Sequence, residues 1–311
     1  MSNRTDSFFS KKRNVILTAV FYTFLWGCAF PLVKLCMQNF SIADGDQASK
    51  CLVAGIRFFL SGCLLCAVNF GRKSDRQPFD KKALWWILAY GVLSTALQYS
   101  FTYIGLSNIE GSKGAVYDQL CVFMIVIAGG LFFKDDTLTL WKVIGCLIGF
   151  VGVFLTSAEE AGGFSFSLGG EGMMLCAALC QTVAYFIAKR TAGSVNAVHL
   201  VGLGQLIGGF LLTVAALIAG GELSGVSTAG VVILLALAGI SAAAYSLSVM
   251  PLKYFPASEI ASFNLLIPLF GVIMSGIVLK ENIFRLNYLA AILLIVCGIM
   301  IINGFSLKKQ K

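Results

Sequence analysis

The chain has 311 residues, of which 58% are hydrophobic and 12% charged, and its mean hydropathy is +0.86. So little polar surface cannot cover a soluble globule, so lipid must cover most of this chain. A net charge of +8 would suit nucleic acid if the basic residues formed one surface. They instead sit beside the ends of apolar runs, where such residues orient membrane helices.

Segment 1–14 carries Arg4 and Lys11-Lys12-Arg13. The apolar run from Val15 to about Met37 is too long for a signal-peptide core, and Lys34-Leu35-Cys36-Met37 offers no small-residue cleavage site, so it reads as a retained first helix. Further apolar segments follow at about Cys51–Phe70, Ala83–Leu106, Gly114–Phe133, Leu140–Ser157, Gly170–Ala188, Ala197–Gly220, Ala229–Leu252, Ile260–Leu279 and Leu286–Phe305. Ten helices of ~20 residues, each crossing about 30 Å of hydrocarbon, use about two thirds of the chain and leave short loops. Backbone groups find no water in lipid, which favours helices, and the alternation of a β-barrel is absent.

A shift of 146 positions lays Ala83–Ala158 over Ala229–Gly304 without a gap. Tyr99 and Ser100 then meet Tyr245 and Ser246, Lys134-Asp135 meets Lys280-Glu281, and Gly152 meets Gly298. Identities come easily in Leu-, Ala- and Gly-rich helices. The aligned punctuation is stronger, since both copies read long helix, short break, long helix, Lys-acid turn, long helix. Most Lys and Arg fall inside if the N-terminus is cytoplasmic, including Arg72-Lys73, Arg76, Lys81-Lys82, Lys134, Lys142, Lys189-Arg190, Lys253 and the tail Lys308-Lys309-Gln310-Lys311. Five helices per copy is odd, so the second copy must enter the membrane from the opposite side. The expected fold class is an all-α integral membrane protein of ten transmembrane helices in two inverted five-helix repeats, multi-pass in the plasma membrane with both termini cytoplasmic. Its divisions are segment 1–14, a first repeat 15–158, a linker 159–168, a second repeat 169–305 and a basic tail 306–311.

Three groups of residues fit a known pattern: Trp26-Gly27-Cys28-Ala29-Phe30-Pro31-Leu32-Val33-Lys34, then Arg57-Phe58, then Asn264-Leu265-Leu266-Ile267-Pro268 ahead of Gly276 and Lys280-Glu281. In order and spacing the chain resembles the drug/metabolite transporter superfamily, EamA-type, from about residue 15 to 305. The resemblance implies ten helices in two inverted repeats and export of a small metabolite, with amino acids or related compounds the first class to test. Members usually carry a proline in the fourth helix at the position matching Pro268. Val122 stands there, so the fourth helix is expected to bend less than the ninth.

Ionisable groups inside a membrane usually face protein or water, and Lys34, Arg57 and Asp118 are the ones that qualify. Pairing of Asp118 with Arg57 or Lys34 would lower the cost of burying each charge, as a gating or structural ion pair; contact with solute or proton is the competing reading. Gln98, Tyr99 and Tyr103, Gln119, Gln181 and Tyr185, Tyr245 and Asn264 are candidate solute-binding residues, with Gln205 and Ser241 as further polar positions. Their plainer reading is interhelical glue. Trp26 and Phe30, four apart, would form an aromatic wall, against a plainer role for Trp26 as an interfacial anchor. Pro268 is the expected helix break, freeing backbone carbonyls for solute.

Several features take the plain reading. Gly145, Gly149 and Gly152, and Gly204, Gly208 and Gly209, are close-packing faces. Cys63 and Cys66 have redox spacing without a turn, acid or histidine nearby, and read as small packing residues. His199 sits near the end of a helix, and Asp135-Asp136 lacks a second acidic motif to complete a magnesium site. No catalytic residues, metal or cofactor are expected. The expected function is a secondary transporter working by alternating access, whose partners are a small-molecule solute and the bilayer, with no nucleic acid. Proton coupling and a homodimeric working unit are left open. The alternatives are an integral membrane enzyme acting on a lipid or isoprenoid, which would need acidic pairs or a nucleophile facing a cavity, and a passive channel.

Overall fold

The structure is a computed structural model describing residues 7–70, 81–109, 111–157, 166–280 and 286–304. Arg4, the cluster Arg72-Lys73 and Arg76, most of the expected linker and the tail after Gly304 lie outside the described residues.

The elements follow the apolar runs. In chain order they are α1 (Lys12–Asn39), α2 (Gln47–Phe70), α3 (Lys81–Gly91, a π-helical turn Val92–Leu97, then Gln98–Leu106), α4 (Gly111–Phe132), α5 (Leu140–Ser157), α6 (a π-helical turn Leu168–Gly172, then Met173–Thr191), α7 (Ala197–Ile218), α8 (Thr228–Val249, ending in a 3-10 turn Met250–Lys253), α9 (Ala257–Ser262, a 3-10 turn Phe263–Leu265, then Leu266–Leu279) and α10 (Leu286–Gly304). No β-strand occurs among the described residues. Among them, seven helices are long and apolar enough to cross a membrane, and the shorter helical stretches Leu140–Leu155 and Leu289–Gly304 are apolar too. Trp85, Leu131, Leu140 and Ile218 stand exposed, as lipid-facing side chains should.

Polar caps start several helices. The Ser49 hydroxyl and N–H both donate to the Asp46 carboxylate, the N–H at 2.9 Å, and hold its carboxyl below the usual carboxylate range at the start of α2. Asn196 accepts from the Val198 N–H at 2.8 Å ahead of α7, and Ser227 from the Gly230 N–H at 2.9 Å ahead of α8. The ninth helix begins at Ala257, earlier than the expected Ile260, because Pro256 sets its entry and the polar first turn Ala257-Ser258-Glu259 is helical and buried.

Helix α9 is interrupted at Phe263–Leu265, and Pro268 lies in the third position of the following segment. A proline cannot donate to the carbonyl four residues back and its ring pushes that carbonyl away. Here that residue is Asn264, inside the interruption. Helix α4 runs as one α-helix through Val122.

Glycine fixes which helices pack closest. Helix α2 pairs with α7 and α5 with α10; α1 packs on α8 and α9, and α6 on α3 and α4. A Cβ on Gly209 would lie 2.3 Å from the Phe59 nitrogen, and one on Gly208 2.3 Å from the Gly91 carbonyl oxygen. Gly145 would approach the Gly298 oxygen to 2.8 Å and Gly152 the Ala291 oxygen to 3.0 Å. With little hydrophobic drive between helices in lipid, this backbone approach supplies the dispersion contact that holds them. Both glycine stripes read from the sequence sit at these contacts. Cys63 and Cys66 are free thiols, and Cys66 lies beside Gly202 of α7.

Candidate functional site

An aromatic cluster joins α1, α2, α3 and α8. Trp26 of α1 meets the Tyr245 ring of α8 edge-on with centroids 5.2 Å apart, and Tyr22 edge-on at 5.3 Å. Phe58 of α2 lies 4.5 Å from Tyr99 of α3 and 6.0 Å from Tyr245, while Tyr103 is 6.4 Å from Tyr99. The hydroxyls of Tyr99 and Tyr245, separated by 146 positions in the chain, share a hydrogen bond of 3.1 Å. If that bond couples the two helices, Tyr99→Phe and Tyr245→Phe each destabilise the protein, and the double variant costs less than their sum by roughly 0.5–1.5 kcal/mol. A thermodynamic cycle of unfolding in mild detergent measures this; strictly additive losses would show the hydroxyls acting separately.

Phe30 departs from the expected wall. It lies over Gly271 of α9 with half of its surface exposed, while Trp26 turns to Tyr245. Four residues along a helix leave two side chains about 40° apart, enough here to place them against different neighbours.

Among the described residues Arg57 does not pair with Asp118. Arg57, 6% exposed, donates from Nε to the Ser241 Oγ of α8 at 2.7 Å, and its guanidinium carbon lies 5.0 Å from the Phe58 ring centroid. Asp118 accepts a long 3.5 Å contact from the Gln119 amide, and Lys34 is exposed on α1. A short hydroxyl on a facing helix lies within reach of a guanidinium, and the sequence spacing did not reveal it.

Buried polar atoms are numerous. Gln98 Oε1, Gln119 Oε1, Gln181 Oε1, Tyr185 OH, Gln205 Nε2, Ser246 Oγ and Asn264 Oδ1 are enclosed without a hydrogen-bond partner among the described residues. Gln98 and Ser246 adjoin the paired tyrosines in sequence, and Tyr185 belongs to the same apolar cluster as Phe58 and Tyr245. Thr102, one turn from Gln98, donates to the Gln98 carbonyl at 2.8 Å.

Sequence reasoning missed a set of tethers at one end of the bundle. Asp136, in the α4–α5 turn and 1% exposed, takes Lys142 Nζ at 2.6 Å and the Ser258 N–H at 2.7 Å, together with the Ser258 hydroxyl. Its carboxylate thereby caps the first turn of α9, where the helix dipole favours an anion. Lys189, closing α6, reaches Asp135 at 2.7 Å and the carbonyls of Leu252 and Phe255 at 3.0 and 2.9 Å. Lys12 lies 3.7 Å from Glu259 and donates to the Asn303 carbonyl at 3.2 Å, while the Asn303 amide donates to Ser262 at 2.9 Å. The available signal was the Lys-acid turn recurring in both copies.

Residues 13–158 and 168–304 each match the model of the EamA-like transporter family. The chain is 28% identical over 310 residues to "Uncharacterized transporter YvbV" of Bacillus subtilis, covering 97% of this chain and 94% of that protein. It is 24% identical to an "Uncharacterized transporter" of Haemophilus influenzae over 64% of this chain and 66% of that one, and 23% identical to "Uncharacterized transporter sll0355" of Synechocystis over 94% and 91%. A crystal structure described only as "Crystal structure of protein" shares the fold at a TM-score of 0.78 with 17% identity, covering 97% of this chain and all of that one. Apolar helices in series, a polar and aromatic interior and two family matches in tandem converge: the chain is a multi-pass membrane transporter and belongs to the EamA-like transporter family.

Proposed function

We propose that this transporter is a secondary carrier that exports a small metabolite, an amino acid or related compound, across the plasma membrane by alternating access, with both termini cytoplasmic. Its ten membrane helices form two five-helix repeats of opposite sense, residues 15–158 and 169–305. Support for the repeats comes from which helices meet. A twofold axis in the membrane plane pairs α2 with α7 and α5 with α10, and lets α1 take α8 and α9 where α6 takes α3 and α4. Under the 146-residue shift Gly145 corresponds to Ala291 and Gly152 to Gly298, so the contacts Gly145–Gly298 and Gly152–Ala291 exchange with one another. Tyr99 and Tyr245 correspond too and touch, as residues beside such an axis do.

The observation that carries the carrier reading is the set of buried polar atoms without partners among the described residues, of which Gln98, Ser246 and Tyr185 adjoin or belong to an aromatic cluster drawn from both halves. In a purely structural bundle each such atom would cost about 1–3 kcal/mol. Water and a passing solute would satisfy them. Trp26, Tyr99, Tyr103 and Tyr245 then supply apolar surface and Gln98, Gln119, Gln181, Tyr185 and Asn264 hydrogen bonds, with Pro268 loosening the carbonyl at Asn264. The tethers at the cytoplasmic end join α9 to the α4–α5 turn and would release and re-form as the halves rock.

Counterflow in proteoliposomes against a panel of amino acids and nucleosides tests this. A saturable exchange with at least one member is expected; flux that neither saturates nor exchanges would favour a channel. Asp118 is the position for proton coupling: Asp118→Asn is expected to flatten the pH dependence of transport, and unchanged transport at every pH removes that role.

A further inference from the structure

The guanidinium of Arg57 has work left over after the protein's own contacts are counted. It offers five N–H donors. Among the described residues it uses Nε, toward Ser241. That hydroxyl itself donates to the Leu237 carbonyl at 2.8 Å, so its lone pairs remain for the arginine. Among the described residues Arg57 takes part in no ion pair; those of Lys12 with Glu259, Lys142 with Asp136 and Lys189 with Asp135 lie elsewhere.

A buried charge without a counter-ion is expensive, and arginine cannot escape by losing its proton. The site also fixes the group's orientation. Ser241 holds Nε from one half of the chain and the Phe58 face lies 5.0 Å from the guanidinium carbon. The two terminal nitrogens are thus presented as a fork, the geometry that grips a planar anion through two parallel hydrogen bonds. A single guanidinium balances a single negative charge, which fits a carboxylate better than a phosphate dianion.

We infer that Arg57 is the anion clamp of the solute site, binding the carboxylate of the transported molecule while Tyr99, Tyr245 and Trp26 pack on its apolar body. Ser241 is a positioning residue that aims the fork. The inference rests on the carrier reading for the site's role, but it makes a separate claim about ligand chemistry.

The test uses the full chain in detergent and three probes sharing one phenyl body: phenylpropionate with a carboxylate alone, phenethylamine with an ammonium alone, and L-phenylalanine with both. The two carboxylates are expected to raise the thermal midpoint of the wild-type protein and phenethylamine to leave it unchanged. Arg57→Gln is expected to bind the carboxylates roughly 10- to 100-fold more weakly, Arg57→Lys to recover part of that, and Ser241→Ala to weaken them less. Should Arg57→Gln not fold, Arg57→Lys and Ser241→Ala carry the comparison. Equal stabilisation by all three probes, no stabilisation of the wild type by either carboxylate, or a carboxylate preference surviving in every variant overturns the clamp. Counterflow that persists in Arg57→Gln with its carboxylate preference gone supports the clamp; counterflow of any solute in a protein indifferent to carboxylates sinks the clamp and leaves the carrier standing.

Discussion

Asp136→Ala is expected to lower the unfolding midpoint of this transporter more than any other single side-chain truncation at the bundle's polar end. Lys142 is 5% exposed, and its ammonium rests on Asp136 at 2.6 Å and on the Ser258 hydroxyl at 2.7 Å. Removing one member of a buried pair leaves the other charged and desolvated, a loss of about 3–5 kcal/mol. The same change strips the cap from the first turn of α9. Asp136→Asn keeps an acceptor for the Ser258 N–H and should fall between. Adding Lys142→Met to Asp136→Ala should restore part of the loss, because no charge is then stranded. Thermal unfolding in mild detergent measures all three. If Asp136→Ala and the double variant match the wild type, the turn is not tied to α9 as drawn.

The membrane helices and their glycine stripes were legible in the sequence because both depend on local periodicity and residue size. Gly145, Gly149 and Gly152 lie three or four apart, which puts them on one face whatever they meet. What the partner is depends on tertiary placement. Pairing of Asp118 with Arg57 or Lys34 was one of two readings, since opposite charges in lipid attract, but Arg57 donates to a serine on α8. Asp135 and Asp136 read as a loop pair, since nothing in a turn announces that its carboxylate reaches Ser258 across 122 positions. The π-helical turn Val92–Leu97 was invisible for another reason. One extra residue in a turn shifts every later side chain around the axis by about 100°, and an apolar run of Val, Leu, Ser, Thr and Ala looks alike in either winding. That turn lies where Gly91 and Thr95 meet Gly208 of α7, so it trades ladder regularity for backbone approach. Phe30 shows the limit of four-residue spacing in a narrow bundle.

Gly298→Ala should destabilise the protein, whereas Gly239→Ala should leave it unchanged or improve it. Both glycines sit inside helices, where alanine is intrinsically better by about 1 kcal/mol. At Gly239 a Cβ would meet nothing within 4 Å, so only the helical preference acts. At Gly298 the added carbon would stand 2.5 Å from the Gly145 oxygen, 2.7 Å from the Gly149 nitrogen and 2.9 Å from the Gly149 Cα. All of these are backbone, so no side chain can swing aside. Helices α5 and α10 would have to separate, giving up dispersion along the seam for a net cost of roughly 1–3 kcal/mol. Gly145→Ala should fall between, since its neighbours include the Ile302 side chain at 2.9 Å as well as the Gly298 oxygen. The expected order of unfolding midpoints is therefore Gly298→Ala lowest, then Gly145→Ala, then Gly239→Ala. Equal midpoints for Gly298→Ala and Gly239→Ala would mean that α5 and α10 do not meet backbone to backbone, and the exchange of Gly145–Gly298 with Gly152–Ala291 would lose its force as support for paired repeats.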